Sequence, residues 1–488
     1  MRQLSIVELG DIAQKAMRDS GFVIKSPPPV EAEIKAIDKG EIEIERRGVR
    51  DLRRLLWSSI DNDSSRDLDQ IEYAERLANG DVKLLVGIAD VDAYAPKNSA
   101  IDDLAAQNTL TVYTEGDVFP MLPLALSTDA TSLLPAVDRL TVVVEMTICD
   151  NGDVRSANFY RALTRNRAKL TYESVGAWLD ENAPAPAAFE TVKGLREQIL
   201  LQKETAGKLH KFRRKKGALE FETIESAAVK TDEKIVDLES IAPNSAQTII
   251  ENFMIAANVE TAEFLESGRI ASIRRVVKTP ARWNGIREIA RKYDFNLPDA
   301  PDSRALSEFL EIRRKADALH FPDLSLSIIK LLGAGEYVVQ TADEDADGHF
   351  GLAVRDYAHS TAPNRRYADL IVQRLLKAAI ENQISPYSID ELKTIAAHCN
   401  ERESAARKIE RLMRKVVAAS VMQARVGQIF KAIVTGITPS GTFARILRPP
   451  VDGRIVENEE HLTIGEQVSV RLIDVDIEKG FIDFARKK

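Results

Sequence analysis

Apolar residues recur at helical spacing near the start of the chain, where Ile6, Val7, Leu9, Ile12, Ala13, Ala16 and Met17 fall on one face of a helix predicted over residues 4–18. Phe22-Val23-Ile24 followed by Ser-Pro-Pro-Pro ends that unit, because proline lacks the amide that a helix needs. A second short helix is predicted from about Val30 to Ile37, and the alternation in Glu41-Ile-Glu-Ile-Glu45 predicts a strand. Two helices and a strand outline a small helix-turn-helix-like module over residues 1–50. Residues 51–425 mix β-rich segments (Lys83 to Val91, Leu140 to Ile148) with long helical ones (Ala246 to Glu266, Arg304 to Leu319, Ile389 to Ala424). No strand-helix alternation with a glycine-rich phosphate loop appears, which argues against a doubly wound nucleotide fold. Over residues 426–488 the pattern shifts to short alternating strands around Ala432, Gly441, Gly453, Val468 and Phe481, separated by Gly and Pro turns. Five strands of this length predict a small closed barrel. The fold class is therefore α+β, a mixed sheet and helix domain flanked by a helical module and a five-stranded barrel.

Composition narrows the function classes. The chain has 488 residues, 44% of them hydrophobic, enough for about three domains with cores of their own. Cys149 and Cys399 form no metal or disulfide spacing, and no run approaches a membrane span, so a soluble cytoplasmic protein is expected. The net charge of -8 excludes a protein that coats nucleic acid with its whole surface, yet Lys208 to Lys216 and Arg402 to Arg425 are locally basic. A recessed basic channel would tolerate an acidic exterior; solvated helix faces account equally well for either run alone.

The stretch with the most chemistry is Ile60 to Ile71, which places Asp61, Asp63, Asp67 and Asp69 within nine residues. Asp67 and Asp69 are two apart, so in extended chain they point to one side, roughly 7 Å apart. Asp61 can fold back onto them through a polar loop. Oxygen ligands without nearby His or Cys suit a hard cation such as Mg²⁺ or Mn²⁺, and such ions work on phosphates. A turn rich in Asp and Ser is the alternative for this stretch taken alone.

Far downstream, His359 to Leu370 reads His-Ser-Thr-Ala-Pro-Asn-Arg-Arg-Tyr-Ala-Asp-Leu, two arginines between a proline turn and a helix. This pair of stretches resembles the ribonuclease II (RNB) family, in which a segment Ile-Asp-x5-Asp-x-Asp-Asp binds the metal and a Ser-Pro-x-Arg-Arg/Lys-Tyr segment supplies an arginine to the phosphate. Blocks around Gly87, Phe119, Ser127, Arg167, Gly217 and Glu251 also look like family blocks in family order, and residues 427–488 resemble an S1-type OB-fold. The last Asp of the metal segment is Gln70 here, and about fifty N-terminal residues are too few for the cold-shock barrels that relatives carry.

The resemblance implies a processive, sequence-nonspecific 3'-to-5' exoribonuclease that releases 5'-mononucleotides from single-stranded RNA. It assigns Asp61, Asp67, Asp69 and Gln70 to a two-metal Mg²⁺ (or Mn²⁺) site, Asp69 and Arg365 to catalysis, and Tyr113 to stacking on the terminal nucleotide. Phe221, Arg366 and Glu410 are further RNA contacts, although a salt bridge is the better reading of Arg366. In the barrel Phe430, Phe443 and Phe481 are stacking candidates. His359 is expected to orient its loop and Asp90 to accept structural hydrogen bonds. The expected partner is single-stranded RNA, with no membrane, no nucleotide cofactor and a monomeric state. Two other classes stand beside this one: a catalytically silent RNA-binding member in which Gln70 has removed the metal, and a regulator that binds DNA through the N-terminal helices.

Overall fold

The computed structural model describes residues 4–39, 46–223, 225–231, 234–342, 344 and 348–487. The strand predicted at residues 41–45 lies outside the described residues.

At the centre is a seven-stranded sheet in the order Arg50–Asp51, Val154–Arg165, Asp138–Ile148, Val82–Ala89, Gln70–Arg76, Ser58–Asp61, Ala168–Thr171. The two edge pairings are parallel and the rest antiparallel. Side chains alternate across the sheet. On one face Trp57, Ile71, Leu85 and Val143 pack with Leu370, Ile371 and Leu375 of the helix Tyr367–Ile380. On the other, Ile60, Ala74, Leu84, Val86 and Leu170 pack with the helices Leu195–Lys216 and Ser245–Ser267 through Ile199, Leu209, Ile249 and Phe253. Burial on both faces explains why these strands read as near-continuous apolar runs.

The N-terminal helices are built into neighbouring cores. Ser5 and Glu8 form a capping box that starts Ile6–Asp19, as a serine three residues before a glutamate should. Its Leu9, Ala13 and Met17 join Ile409, Met413 and Val416 of the long helix Ile389–Gln423, and the same cluster continues into Ala432, Val434 and Val451 of the barrel. In the second helix, Pro28–Asp38, the Glu33 carboxylate accepts the Ala100 and Ile101 amides at 2.8 and 3.0 Å, satisfying free donors at the start of Ala100–Asn108.

The expected helix from Arg304 to Leu319 stops at Ala316. Asp317 leaves the helical dihedrals (φ -152°, ψ 78°) and accepts from the His320 ring at 2.9 Å, and a separate helix, Phe321–Leu332, begins with a proline in its first turn. The C-terminal strands close a barrel in the order Ile429–Thr438, Gly441–Ile446, Val451–Glu457, Phe481–Arg486, Gln467–Asp476, as their spacing predicts. Arg445 of the barrel pairs with Asp323 of Phe321–Leu332. Among the described residues no helix is long and apolar enough to cross a membrane.

Candidate active site

Three segments far apart in sequence meet at Asp69, which immediately precedes the strand Gln70–Arg76 and is 1% exposed. The Asn364 amide donates to its Oδ1 at 2.9 Å, and Arg365 Nε lies 3.1 Å from its Oδ2. Burial pushes the Asp69 carboxyl up to about 7; Arg365 and the amide oppose that rise, while Asp67 and Asp369 add to it.

The arginine segment is held as a rigid turn. Ala362 O accepts the Arg365 and Arg366 amides at 3.2 and 3.0 Å, and the buried Asp369, in the first turn of the following helix, accepts the Ala362 amide at 2.9 Å. Arg366 spends its charge on Asp369 at 2.7 Å, which is the salt-bridge reading of that residue. Arg365 points the other way, to Asp69. His359 is half-buried with Nδ1 2.9 Å from the Tyr337 hydroxyl, and desolvation drives its pKa well below the usual value, which keeps the ring neutral and suits it to orienting the loop. Asp90 is likewise structural, paired with Arg161 at 3.0 Å and Lys377 at 2.8 Å.

The backbone of this turn is zipped to the segment that carries Tyr113. Thr111 N donates to Arg365 O at 2.9 Å, and Tyr367 N to Thr109 O at 2.8 Å. Tyr113, 43% exposed, then donates its hydroxyl to Asp67 Oδ2 at 3.0 Å, and its backbone partly offsets the rise that burial imposes on the Glu410 carboxyl of the long helix. Glu410 thus neighbours the site beside Tyr113.

Asp61 ends the strand Ser58–Asp61 and folds the loop back on itself, accepting the Asn62 amide and the Ser65 hydroxyl at 2.7 Å each. Asp63, exposed, lies in the turn, where Lys169 holds the Asp63 and Ser65 carbonyls. The structure therefore brings Asp69, Asp67, Arg365 and Tyr113 together by direct contacts. Asp61 adjoins them and acts electrostatically on Arg365. Each carboxylate is turned toward a protein donor, and among the described residues no group of three or more His, Cys, Asp and Glu side chains forms a ready metal cage.

Phe221 is half-buried against the helical cluster of Trp283, Phe309 and Phe321. In the barrel Phe430 packs against the core, Phe443 is half-buried and Phe481 is 55% exposed. Sequence reasoning missed Glu72, fully buried two residues beyond Gln70, and left Tyr172 without a role although Asp61 and Glu72 both act on it. An acid inside the apolar alternation Ile71-Glu72-Tyr73 was the available signal for the first.

Residues 49–382 match the model of the RNB domain, and residues 428–487 that of the RNase II-type exonuclease C-terminal S1 domain. The chain belongs to the RNB family. It is 29% identical over 507 residues to ribonuclease R of Vibrio parahaemolyticus, an alignment covering 96% of this chain and 60% of that protein. Ribonuclease R of Thermotoga maritima is 30% identical over 428 residues, covering 84% of this chain and 58% of the relative. The chain spans about three fifths of the length of these relatives. Among solved structures it shares the fold of Mycoplasma genitalium RNase R in complex with ribose methylated single-stranded RNA (TM-score 0.87, 23% identity, 97% of this chain and 77% of that one). It also shares the fold of yeast Ssd1, described as a pseudonuclease (TM-score 0.71, 17% identity, 96% and 59%).

Proposed function

We infer that the chain is a metal-dependent 3'-to-5' exoribonuclease that hydrolyses single-stranded RNA to 5'-mononucleotides. The observation that carries this reading is the double junction Arg365 to Asp69 and Tyr113 to Asp67, which sets a phosphate-binding cation and a stacking ring against the two carboxylates of one loop. The ribonuclease R relatives support it.

The donor set fits Mg²⁺. That ion keeps several waters and takes one or two carboxylates plus substrate phosphate, so it needs no closed protein cage. The buried Asp69 Oδ2 faces Arg365 at 3.1 Å without an aligned hydrogen bond, which leaves it lone-pair capacity for an ion or a water. Asp61, Asp67 and Asp69 would hold the metal, with Gln70 able to add a neutral carbonyl oxygen. When bound, it supplies a nucleophile at neutral pH and neutralises phosphate charge.

The chain's own residues do the rest. Asp69 accepts a hydrogen bond from the attacking water and orients it. Arg365, whose charge its carboxylate neighbours reinforce, forks onto the scissile phosphate as negative charge develops there. Tyr113 stacks on the terminal base, a contact indifferent to base identity. Phe221, Glu410 and the barrel extend the grip on RNA.

A second reading, an RNA-binding protein without hydrolysis, is favoured by Gln70, and a pseudonuclease shares the fold. Incubating 5'-labelled single-stranded RNA with Mg²⁺ or with EDTA separates the two. A ladder that shortens from the 3' end and vanishes with chelator supports the enzyme; intact RNA of shifted mobility supports the binder.

A further inference from the structure

The strand that follows Asp69 carries an acid that neither the RNB pattern nor the proposed chemistry uses. Gln70, Glu72 and Ala74 alternate onto one face of Gln70–Arg76, and Ala74 marks that face by packing with Ile60 and Val86. Glu72 is 0% exposed, and neither of its carboxylate oxygens has a hydrogen-bond partner among the described residues. Its cross-strand neighbour Ser58 is also fully buried, with an unpartnered hydroxyl.

A carboxylate in that position is costly unless something pairs with it. The charged side chain that acts on Glu72 is another acid, Asp61, and the half-buried Tyr172 ring feels both. Two acids sharing a desolvated corner repel each other, whereas a divalent cation between them removes both the repulsion and the unmet hydrogen-bonding capacity. The vacancy such an acid would fill is in the same strand. Gln70 stands where the family pattern has its last metal-site Asp, and Glu72 is the next side chain on that face.

We propose that Glu72 is a metal-site carboxylate of this chain, standing in from two residues along the strand for the acid that Gln70 lacks. The proposal rests on the metal-dependent reading of the site. It predicts that the metal-free protein binds a divalent cation through Asp61 and Glu72 together, with RNA absent.

The test is Mn²⁺ binding to the metal-free full chain, followed by the electron paramagnetic resonance of free Mn²⁺ and by the rise in Tm that Mn²⁺ produces. Glu72→Gln keeps the shape, removes the charge and should weaken Mn²⁺ binding roughly 10- to 100-fold, as Asp61→Asn should. Gln70→Asp combined with Glu72→Gln should regain most of the loss. If Glu72→Gln folds poorly, Glu72→Leu, suited to the apolar wall, takes its place. Wild-type Mn²⁺ binding that Asp61→Asn weakens and neither Glu72 variant changes would overturn the proposal and leave the metal site standing. A wild-type chain that binds no Mn²⁺ without RNA would overturn the Glu72 proposal, and hydrolysis of RNA that still vanishes with EDTA would leave the metal-dependent reading standing.

Discussion

The Tyr113 hydroxyl donates to Asp67 Oδ2 at 3.0 Å, so the ring assigned to base stacking is tethered to one of the carboxylates assigned to the metal. Two roles can be separated at this one residue. Tyr113→Phe keeps the ring and frees Asp67, whereas Tyr113→Ala removes both. Stacking is worth about 1–3 kcal/mol per base. Tyr113→Ala should therefore leave longer final fragments, while Tyr113→Phe should leave fragments of wild-type length and shift only the Mg²⁺ requirement. Denaturing gels of end-labelled RNA measure the first effect and metal titration of the rate the second. Unchanged limit products in Tyr113→Ala would assign the ring to packing.

Asp69 gives a prediction in which stability and activity move in opposite directions. Its carboxyl is raised from 3.8 to about 7 in the folded chain, chiefly by burial, so between those values the native state binds more protons than the unfolded state. Stability from this group is then highest at low pH and falls as pH rises from about 4 through about 7. Asp69→Asn removes that cost. The metal-free variant should be more stable than wild type at pH 8, by up to roughly 4 kcal/mol for about three pKa units, and gain nothing near pH 4. Urea unfolding at the two pH values checks it. Hydrolysis should be lost while RNA binding persists, because the amide keeps the shape and loses the charge. A variant that loses RNA binding as well would point to a disturbed fold.

Arg365 lies 3.1 Å from Asp69 and is half-exposed, so it can turn to a phosphate without breaking a buried core. Arg365→Ala should lower kcat roughly 100-fold or more, the scale for losing one preorganised donor to developing charge, with a much smaller change in RNA affinity. Arg366→Ala should instead destabilise the turn, since it strips the buried Asp369 of its cation. Single-turnover rates and filter-binding constants separate the two arginines. Weakened binding at unchanged turnover would take Arg365 out of catalysis.

Much of this was legible in the residues because it rests on local pattern. The barrel announced itself through alternation between Gly and Pro turns, and the Asp loop through its carboxylate density. The proline turn before Arg365 likewise marked a fixed approach to the helix Tyr367–Ile380. What was not legible depends on contacts across the chain. The bond from the Asn364 amide to Asp69 joins residues 295 positions apart. The apolar face of Ile6–Asp19 looks like that of an independent module, and only packing shows it covering the long helix. Glu72 was hidden for a different reason: strand propensity and alternation say which face a residue takes, but not whether its charge is answered there.

The last prediction concerns Gln70, which is 3% exposed at the start of the strand, immediately after Asp69. An amide offers a cation only a neutral carbonyl oxygen, so at this position the chain forgoes one unit of Coulomb attraction in a desolvated site. RNA can make up part of the difference, since a bound phosphate brings oxygen ligands of its own to Mg²⁺. Metal binding should accordingly depend on substrate more strongly than it would with an acid at position 70. Gln70→Asp should lower the Mg²⁺ concentration for half-maximal rate and weaken that dependence on RNA, so that metal binding without RNA tightens more than metal binding with it. The same substitution adds a third acid beside Asp69 and near Glu72, so the metal-free variant should also be less stable than wild type above pH 7 and recover on adding Mn²⁺. Rates titrated with Mg²⁺, and Tm measured with and without Mn²⁺, read the two effects independently. Superimposable Mg²⁺ curves from two active proteins would mean that position 70 does not touch the metal.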